Sequence, residues 1–430
     1  MSQQTPSTAT GAGRRKVAIV GAGFAGLAAC DVLARAREVD GFDITVVDRH
    51  TYNTFQPLLY QVATAGLNPG DIAYPVRSYL RKHPNVTFRQ GTVCDVDFES
   101  RQVVFEGEEP PLSYDYLVIA TGATTNFFGV PGAAEHSLAI YTMEDAVAVR
   151  DRVSASLEHA ATFGAPNGEL TMVLVGGGPT GVETAGTLAE LRNVELGTTY
   201  RGIDPSQARI VLVERLDRLL GGFDERLAAY ALHALESRQV EVRLDTAVRE
   251  VFADHVLFES GEVINCGMVV WSAGVRAGDF ADRLKATQTK GGRIAVAPDL
   301  RIVEHPQVFV IGDVAGVASD SEGDALFPQL AQPAIQEGRH AARQILNVER
   351  GRPTEPFSYK DKGIMATIGR RAAVTQLPNG VKLRGTLAWL AWLSLHIVFL
   401  LGFRNRFAVL LNWAWRYLWW RRGTRVIAGN

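Results

Sequence analysis

Runs of consecutive apolar residues, each closed by a glycine turn, are the strongest pattern along the chain. Residues 16–20 and 171–175 are two such runs, and each leads through glycines into a stretch of small apolar residues. An unbroken apolar run predicts a strand buried on both faces, as in a parallel sheet, and the small residues predict a helix packed closely against it. The same strand, turn and helix therefore occur twice, about 155 residues apart, which indicates an internal duplication.

Both glycine turns have the spacing of dinucleotide-binding loops, with glycines at Gly21, Gly23 and Gly26 and again at Gly176, Gly178 and Gly181. In such a loop the first glycine permits a tight turn, the second admits a pyrophosphate, and the third lets helix pack on strand. The strands that follow end in Asp48 and Glu214, acids that can bind a ribose diol. One glycine turn alone is often structural punctuation, but two matched copies make chance a poor explanation.

Other apolar runs end in short motifs. Residues 114–122 end in Thr121 and Gly122, where the backbone can pass under a cofactor, and residues 268–274 repeat this ending. A later strand ends in Gly312 and Asp313, and Asp313 can reach a sugar-alcohol or ribityl oxygen. Between these motifs, residues 51–85 predict a loop-rich connection, residues 86–105 a β-meander and residues 245–270 short strands.

A helix is predicted to begin near Gln332 and to run to about residue 348. Pro333 suits its first turn, because the missing N–H would have no partner there. The positive end of its dipole would stabilise negative charge on a reduced flavin. Gln332 and Gln336 are four residues apart and share a face. From the residues alone, they are interpreted as the solvated face of a surface helix.

Composition and charge narrow the class of protein. A chain of 430 residues, 47% apolar with 42 glycines, suits an α/β enzyme of two or three domains, and a net charge of −2 implies no nucleic-acid partner. The three cysteines, Cys30, Cys94 and Cys266, are far apart, so the sequence predicts no disulfide framework and no metal site. The first residues are small and polar, which predicts a flexible leader.

The C-terminal part differs from the rest. After Asp361 the chain holds eleven Lys and Arg residues and no Asp or Glu, and six of the seven tryptophans lie after residue 388. Residues 386–403 form an apolar run of 18 residues, and Asn412 with Arg416 draws a polar line along the next predicted helix. Three interpretations remain: a buried helix or dimer interface, a transmembrane span, and a helix in the plane of a membrane surface.

In this order, the motifs resemble those of the two-dinucleotide-domain flavoproteins built like glutathione reductase. More narrowly, residues 176–183, 331–336 and 361–369 and the tail resemble the type II, single-subunit, non-pumping NADH:quinone oxidoreductases, over roughly residues 15–425. The resemblance implies an α/β fold with two Rossmann-like dinucleotide-binding domains and a C-terminal membrane-anchoring helical segment. It also implies in-plane docking of the tail.

The implied domains are a leader over residues 1–14, a discontinuous FAD-binding domain over 15–140 and 290–348, an NADH-binding domain over 141–289, and a membrane-attachment domain over 349–430. The implied partners are a membrane quinone, menaquinone or ubiquinone, and the bilayer surface, reached through residues 385–422. The expected location is peripheral, on the cytoplasmic face of the inner (plasma) membrane. A homodimer stays possible.

The resemblance also assigns residues to roles. FAD would be held by Gly21, Gly23, Gly26, Asp48, Thr121, Gly122, Gly312 and Asp313, with Ala331 and Gln332 beside it, and NADH by Gly176, Gly178, Gly181 and Glu214. Gln332 and Gln336 would lie beside the flavin at the quinone tunnel, and Lys362 near its quinone end. Glu183 would lie near the nicotinamide and the flavin. From the residues alone, Glu183 is a first-turn acid stabilised by its helix dipole, and Lys362 is a surface lysine.

The reaction implied is hydride transfer from NADH to the flavin and then two-electron reduction of the quinone, for which the protein mainly aligns donor and acceptor. Disulfide reductases would need a redox-active cysteine pair and sulfide:quinone oxidoreductases cysteines near the flavin, and the sequence has neither pattern. Two alternatives remain open. One is a ferredoxin-reductase-like enzyme with a protein acceptor, and the other is a non-enzymatic NAD(H)-responsive membrane-bound scaffold.

Overall fold

The computed structural model describes residues 14–36, 41–196, 199–200, 202–319 and 325–419. Residues 1–13 of the predicted leader lie outside these ranges, as do residues 420–422 of the predicted membrane-docking segment and Trp420 among its tryptophans. All structural statements below concern the described residues.

The strands follow one another along the chain as β1 Arg15–Val20, β2 Phe42–Asp48, β3 Tyr52–Thr54, β4 Ala73–Pro75, β5 Val86–Gln90, β6 Val93–Asp97, β7 Gln102–Phe105, β8 Leu112–Ser113, β9 Tyr116–Ile119, β10 Ala123–Thr125, β11 Leu138–Ala139, β12 Met172–Val175, β13 Ile210–Val213, β14 Glu241–Arg243, β15 Val248–Val251, β16 His255–Phe258, β17 Val263–Asn265, β18 Met268–Trp271, β19 Val275–Ala277, β20 Gln288–Thr289, β21 Arg293–Ala295, β22 Arg301–Ile302, β23 His305–Val310, β24 Ala315–Gly316, β25 Ile364–Gly369, β26 Ala372–Gln376 and β27 Lys382–Arg384.

The α-helices are α1 Phe24–Ala34, α2 Leu59–Ala63, α3 Pro69–Ile72, α4 Val76–Leu80, α5 Ala133–His136, α6 Met143–Phe163, α7 Pro179–Leu191, α8 Glu225–Glu236, α9 Asp279–Arg283, α10 Ala331–Glu349, α11 Gly385–Phe399 and α12 Phe403–Trp419. Short 3-10 turns lie at Gln56–Leu58, Pro166–Gly168, Pro205–Gln207, Lys290–Gly292 and Gly312–Val314, and a π-helical turn at Arg192–Leu196.

The chain divides into two compact units. The first takes the described residues of 1–53, 75–123 and 276–360, and the second those of 54–74, 124–275 and 361–430. Each unit therefore contains one of the glycine loops and collects segments that are distant in sequence.

A six-stranded sheet in the order β22-β23-β9-β1-β2-β5 forms the centre of the first unit. Its middle strand β1 runs parallel to β2 and β9, with Val17 opposite both Ile44 and Tyr116. The last four residues of β1 are buried, as the apolar run predicts. The predicted β-meander over residues 86–105 is partly wrong. Only β6, β7 and β8 form an antiparallel meander, whereas β5 extends the parallel sheet by pairing with β2.

The second unit repeats this arrangement. Its main sheet has the order β11-β18-β12-β13-β14, and β12 runs parallel to β13 and β18, with Met172 opposite Ile210 and Met268. Two antiparallel sheets, β15-β16-β17 and β25-β26-β27, also lie in this unit, and the first confirms the short strands predicted before residue 270. The two units therefore share the parallel pairing of their central strands as well as the spacing of their glycines.

Residues 51–85 are more ordered than the sequence predicts, because they contain α2, α3 and α4 rather than one irregular loop. Helix α3 begins with a capping box, in which Asn68 and Asp71 each accept a backbone hydrogen bond from the other end of the turn. Helices of four or five residues carry too few repeats for a periodic apolar pattern to be visible.

The apolar run over residues 386–403 is two elements and not one helix. Helix α11 ends at Phe399, and Gly402, with φ +82°, turns the chain before α12 begins at Phe403. No helix among the described residues combines the length and the apolar character needed to cross a membrane.

Candidate functional site

The first glycine loop is shaped by contacts that only glycine allows. Gly21 has φ +110°, and a Cβ there would lie 2.2 Å from the Ala120 oxygen. A Cβ on Gly26 would lie 1.9 Å from the Gly21 oxygen, so the helix packs directly on the turn. Gly23 is different: it caps α1 in an extended conformation, and a Cβ there would meet no protein atom within 4 Å. The space beside Gly23 is open, as a site for an approaching pyrophosphate requires.

The second loop has the same construction. Gly176 again has φ +110°, with a Cβ position 2.5 Å from Ala273 Cα, and a Cβ on Gly181 would lie 1.9 Å from the Gly176 oxygen. Gly178 caps α7, and the space beside it is open. The residues of both loops therefore fit a bound dinucleotide, with a helix N-terminus beside each open glycine.

The predicted ribose-binding acids lie against these loops. Asp48 accepts hydrogen bonds from Ala22 N at 2.7 Å and His50 N at 2.8 Å. Glu214 accepts from Gly177 N at 2.6 Å and Leu216 N at 2.9 Å. Backbone N–H groups thus hold each carboxylate at the end of its strand beside the glycine turn. The structure brings each acid to the loop with which the sequence pairs it.

The first unit brings further predicted residues together. Thr121 and Gly122 follow β9, and the Cβ position of Gly21 lies 3.3 Å from Thr121 N. Gly312, with φ +72°, begins the turn that carries Asp313, and a Cβ on Gly312 would lie 3.1 Å from Ala25 Cβ of α1. The predicted FAD residues at both ends of this unit's sequence therefore converge on the first glycine loop.

Glu337, which the sequence reasoning missed, supports this turn. Its buried carboxyl accepts a hydrogen bond from Gly312 N at 2.6 Å. Burial raises its pKa to about 7, a shift opposed by the same hydrogen bond and by the nearby Arg293. The sequence did not predict the burial of Glu337, because an acid within a helix is usually exposed. Its burial results from the packing of α10 on α1.

Helix α10 begins at Ala331, which confirms the predicted helix start next to Gln332. Gln332 is half-buried, and Pro333 is buried in the first turn. Gln336 donates to the Lys360 carbonyl at 2.9 Å and accepts from Lys360 N at 3.0 Å, so its amide holds the following segment on the helix. Gln336 is therefore not a simple solvated residue.

Glu183 is not in the first turn of α7, which contains no acid, so the helix-dipole interpretation is wrong. Only 8% of Glu183 is exposed, and burial raises the pKa of its carboxyl to about 8. Two donors oppose this rise: Thr367 N, at 3.2 Å, and the Trp392 side chain. The Glu183 carboxyl is therefore protonated at neutral pH, and a modest rise in pH removes its proton.

Aromatic side chains border Glu183 within the second unit. Trp392 lies parallel to His396 at 3.9 Å between ring centroids and edge-on to Tyr60 at 6.2 Å. His396 donates through Nδ1 to the Trp392 carbonyl at 2.7 Å, and burial lowers its pKa to about 4, so it is a neutral packing residue. The sequence analysis missed Tyr60 and did not connect Trp392 with Glu183, since no local pattern links these positions.

Lys362 is exposed and lies just before β25. It belongs to the second unit, whereas Gln332 and Gln336 belong to the first. Its predicted position at the quinone end of the tunnel stays a prediction.

The C-terminal helices place polar side chains of α12 against the protein and leave many apolar side chains exposed. Three polar residues of α12 point to the protein: Asn412 donates to Asp71 at 2.9 Å, Asn405 to the Ala73 carbonyl at 2.8 Å, and Arg416 lies 3.5 Å from Glu190. Thr386, Ser394, Arg404 and Arg406 are exposed on the two helices, but most of the exposed side chains are apolar, and they include Leu387, Leu390, Leu395, Val398, Phe399, Phe403, Phe407, Leu410, Leu411 and Trp415. We call these ten residues the apolar stripe.

The tryptophans do not all serve as surface anchors. Trp389, Trp392 and Trp413 are buried against the rest of the second unit, whereas Trp415 is exposed. Trp413 donates its indole N–H to Gln61 at 2.7 Å. Most of the described tryptophans of the tail therefore hold the helices to the protein, and the stripe provides the exposed surface.

Comparison with known families matches most of the chain. Residues 15–338 match the family model described as pyridine nucleotide-disulphide oxidoreductase, and residues 362–422 match the NDH2 C-terminal domain. These two matches include both glycine loops and the C-terminal helices.

Curated relatives cover nearly the full length. The chain is 37% identical to the type II NADH:quinone oxidoreductase Ndh of Mycobacterium tuberculosis, over 99% of this chain and 93% of the relative. It is 32% identical to the type II NADH:quinone oxidoreductase of Staphylococcus aureus, over 84% of this chain and 89% of the relative.

Solved structures have the same fold. The structure of NDH2 from Plasmodium falciparum in complex with NADH matches with a TM-score of 0.87 at 20% identity, over 96% of this chain and 100% of the other. The sulfide:quinone oxidoreductase of Aquifex aeolicus matches with a TM-score of 0.73 at 19% identity, over 92% of each chain. At these identities the likeness concerns the fold.

Proposed function

Since the chain belongs to the type II NADH:quinone oxidoreductases, and is thus an NADH-dependent flavoprotein that reduces quinone, we propose that it uses FAD, acts at a membrane surface and pumps no protons. The observation that carries this proposal is the pair of matched glycine loops. Each has open space beside its middle glycine and an acid held at the end of the next strand.

The first loop is assigned to FAD and the second to NADH. Asp48 and Glu214 would bind the ribose hydroxyls, and Gly23 and Gly178 would admit the pyrophosphates. Gly312 and Asp313 support the FAD assignment, because their turn lies against α1 of the same loop. When bound, the flavin supplies the two-electron chemistry that links a hydride donor to a quinone.

The proposed domain division follows from this assignment. The FAD-binding domain takes residues 15–140 and 290–348, the NADH-binding domain 141–289 and the membrane-attachment domain 349–430. The boundaries of the compact units support this division, because the chain passes from the first unit to the second between residues 123 and 124 and returns between residues 275 and 276. The units differ from the proposed domains at several places: the second unit also takes residues 54–74, 124–140 and 361–430, and the first takes 276–289 and 349–360.

Four side chains are proposed to act in the reaction. Glu183 is suited to hold and release a proton, because its buried carboxyl has a pKa of about 8. Gln332 and Gln336 lie at the start of α10, whose positive dipole end favours negative charge near the flavin. Lys362 is proposed to place a positive charge at the entrance for the quinone. That quinone is proposed to be menaquinone or ubiquinone.

Membrane docking is proposed to use the apolar stripe. Exposed Leu and Phe side chains on two consecutive helices form a surface that a soluble protein rarely leaves uncovered. The many Lys and Arg residues after Asp361 would add attraction to anionic headgroups. Peripheral attachment on the cytoplasmic face places the enzyme beside both NADH and the lipid-soluble quinone.

The test is steady-state oxidation of NADH and NADPH by the purified protein with a quinone analogue, with the flavin identified after its release. We expect rapid oxidation of NADH, slower oxidation of NADPH and release of FAD. In vesicles with an internal pH dye, turnover is expected to produce no proton gradient. Release of FMN, or acidification of the vesicles that an uncoupler abolishes, would contradict the proposal.

A further inference from the structure

Phe128 combines an uncommon backbone conformation with an exposed aromatic ring. Its φ is +52°, a left-handed value at which a bulky side chain is an outlier. Burial of the ring does not compensate for this conformation, because 61% of Phe128 is exposed. The neighbouring Phe127 and Val130, by contrast, pack against the core of the second unit. The fold therefore keeps a strained residue whose ring lies at the surface, and strain of this kind is concentrated at functional sites.

The backbone of Phe128 is fixed to the end of β18. Phe128 N donates to the Asn126 side-chain oxygen at 2.8 Å, and Asn126 N donates to the Gly274 carbonyl at 3.0 Å. The Trp271 indole donates to the Asn126 carbonyl at 2.8 Å. A Cβ on Gly274 would lie 3.0 Å from the tip of the Phe128 ring. The ring therefore lies against the Gly274 backbone, on a rigid support.

The end of β18 also borders the second glycine loop. Ser272 donates to the Val175 carbonyl through its backbone N at 2.8 Å and through its Oγ at 3.0 Å. A Cβ on Gly176 would lie 2.5 Å from Ala273 Cα. The residue that meets the Phe128 ring directly follows Ala273 in the chain, so the exposed ring lies beside the loop that is assigned to NADH.

The order of the strands indicates which half of NADH the ring would meet. Strand β12, which leads into the loop, lies between β13 and β18 in the sheet. Glu214, the acid assigned to a ribose, follows β13, so the adenosine half of the dinucleotide lies on that side of β12. With the pyrophosphate at Gly178, the nicotinamide half lies on the other side, over the end of β18.

We propose that Phe128 binds the nicotinamide half of NADH, with its exposed ring packed against the ligand. This inference rests on the proposed function, which assigns the second loop to NADH. An aromatic ring offers a large apolar surface for such a contact, and the bound ligand would cover the part of the ring that the protein leaves exposed.

The test compares Phe128→Asn with Phe128→Tyr in the full-length, flavin-loaded protein. Asparagine tolerates the left-handed backbone but lacks the ring, whereas tyrosine keeps the ring. Calorimetry measures the binding of NAD⁺ and of ADP, which has no nicotinamide half. We expect Phe128→Asn to weaken NAD⁺ binding about tenfold and to leave ADP binding unchanged. Phe128→Tyr should bind both ligands like the unmodified protein.

Thermal unfolding separates this role from a structural one. Asparagine relieves the backbone strain, so the Tm of Phe128→Asn should be unchanged or higher by about 1 °C. Lys285→Asn is the matched control, because Lys285 is exposed with φ +53° and belongs to the first unit. It should behave alike in Tm and bind NAD⁺ normally.

The inference fails if Phe128→Asn binds NAD⁺ like the unmodified protein, or if the binding of NAD⁺ and of ADP weakens equally. Failure of the unmodified protein to reduce a quinone analogue would contradict the proposed function instead. The calorimetric comparison of NAD⁺ with ADP would still test the contact made by Phe128, because it does not depend on the electron acceptor.

Discussion

At the scale of single residues, burial changes the chemistry of two acids. Glu183 and Glu337 each lie in apolar surroundings, and burial raises their pKa values to about 8 and about 7. Each accepts backbone N–H groups, from Thr367 and Gly312, that partly offset the loss of water. Each of the two acids can therefore take up or release a proton near neutral pH.

Glu183 makes stability depend on pH. Between its unfolded pKa of 4.5 and its folded pKa of about 8, the unfolded chain releases a proton that the folded protein keeps. Rising pH therefore favours unfolding across this window, and the loss levels off above it. Glu183→Gln has no proton to lose, so we expect its advantage in Tm over the unmodified protein to grow between pH 5 and pH 8.5, by about 2 °C or more.

The matched control is Glu225→Gln, since the Glu225 side chain is 85% exposed. Its Tm difference from the unmodified protein should be the same at both pH values. A Glu183→Gln advantage that did not grow with pH would mean that the carboxyl is already ionised in the folded state.

Glu214 is expected to govern the affinity for NADH. Glu214→Ala removes the carboxylate assigned to the ribose and its bonds to Gly177 N and Leu216 N. We expect the Michaelis constant for NADH to rise roughly tenfold with kcat changed by no more than about twofold, because the loss affects binding in the ground and transition states equally. The measurement is steady-state kinetics with a saturating quinone analogue.

Asp217→Ala is the control for this variant, because it removes the same charge from an exposed position three residues away. Its Michaelis constant should stay near that of the unmodified protein. If Glu214→Ala keeps the original constant, the ribose assignment is wrong.

At the scale of elements, the C-terminal helices combine two opposite faces. Asn405, Asn412 and Arg416 hold α12 to the protein, while the apolar stripe is exposed. Because Trp389, Trp392 and Trp413 are buried, deletion of the tail would remove part of the core along with the docking surface. Membrane binding is better tested by changing exposed side chains alone.

We expect the triple change Phe403→Ser, Phe407→Ser and Leu410→Ser to weaken binding to anionic vesicles by at least about tenfold, since each exposed apolar group contributes to insertion. Phe403 is 85% exposed, and none of the three side chains is buried, so the fold should be retained. Sedimentation with vesicles measures binding, and NADH oxidation with a soluble acceptor should continue.

Phe163→Ser is the control, because Phe163 at the end of α6 is 75% exposed but outside the stripe. It should sediment like the unmodified protein. Full sedimentation of the triple variant would show that docking depends on another surface.

At the scale of the whole molecule, duplication gives two similar loops with different assigned ligands. In both, the first and third glycines meet backbone atoms, and the middle glycine meets none. The fold therefore constrains the outer glycines, and the ligand constrains the middle one. This difference allows ligand binding to be tested without damage to the loop.

Gly23→Ala and Gly178→Ala form a matched pair. Each Cβ enters open space at an extended backbone position, so both variants should fold. We expect Gly23→Ala to lower the FAD content of the purified protein, and Gly178→Ala to keep FAD and raise the Michaelis constant for NADH by about tenfold. Flavin absorbance and steady-state kinetics measure the two effects. Loss of FAD from Gly178→Ala, with Gly23→Ala unaffected, would reverse the assignment of the loops.

Much of the cofactor-binding framework could be predicted from the sequence alone. Each glycine loop lies with its strand and helix in one short segment, and the register of β1 with β2 and of β12 with β13 places Asp48 and Glu214 at strand ends beside the loops. The sequence likewise predicts the start of α10 at Ala331, because Pro333 suits the first turn of a helix. These features depend on local geometry, which spacing encodes.

Only the tertiary structure decided what surrounds Glu183 and which way the tail faces. The cluster joins Tyr60, Glu183, Thr367 and Trp392, which come from four distant segments, and no spacing in the sequence relates them. The sequence predicts a polar line along α12 but not what it faces, and in the structure Asp71 and Glu190 are the partners of its side chains. A residue pattern records that a helix has two faces, and only packing determines which one is covered, because burial is a property of the assembled chain.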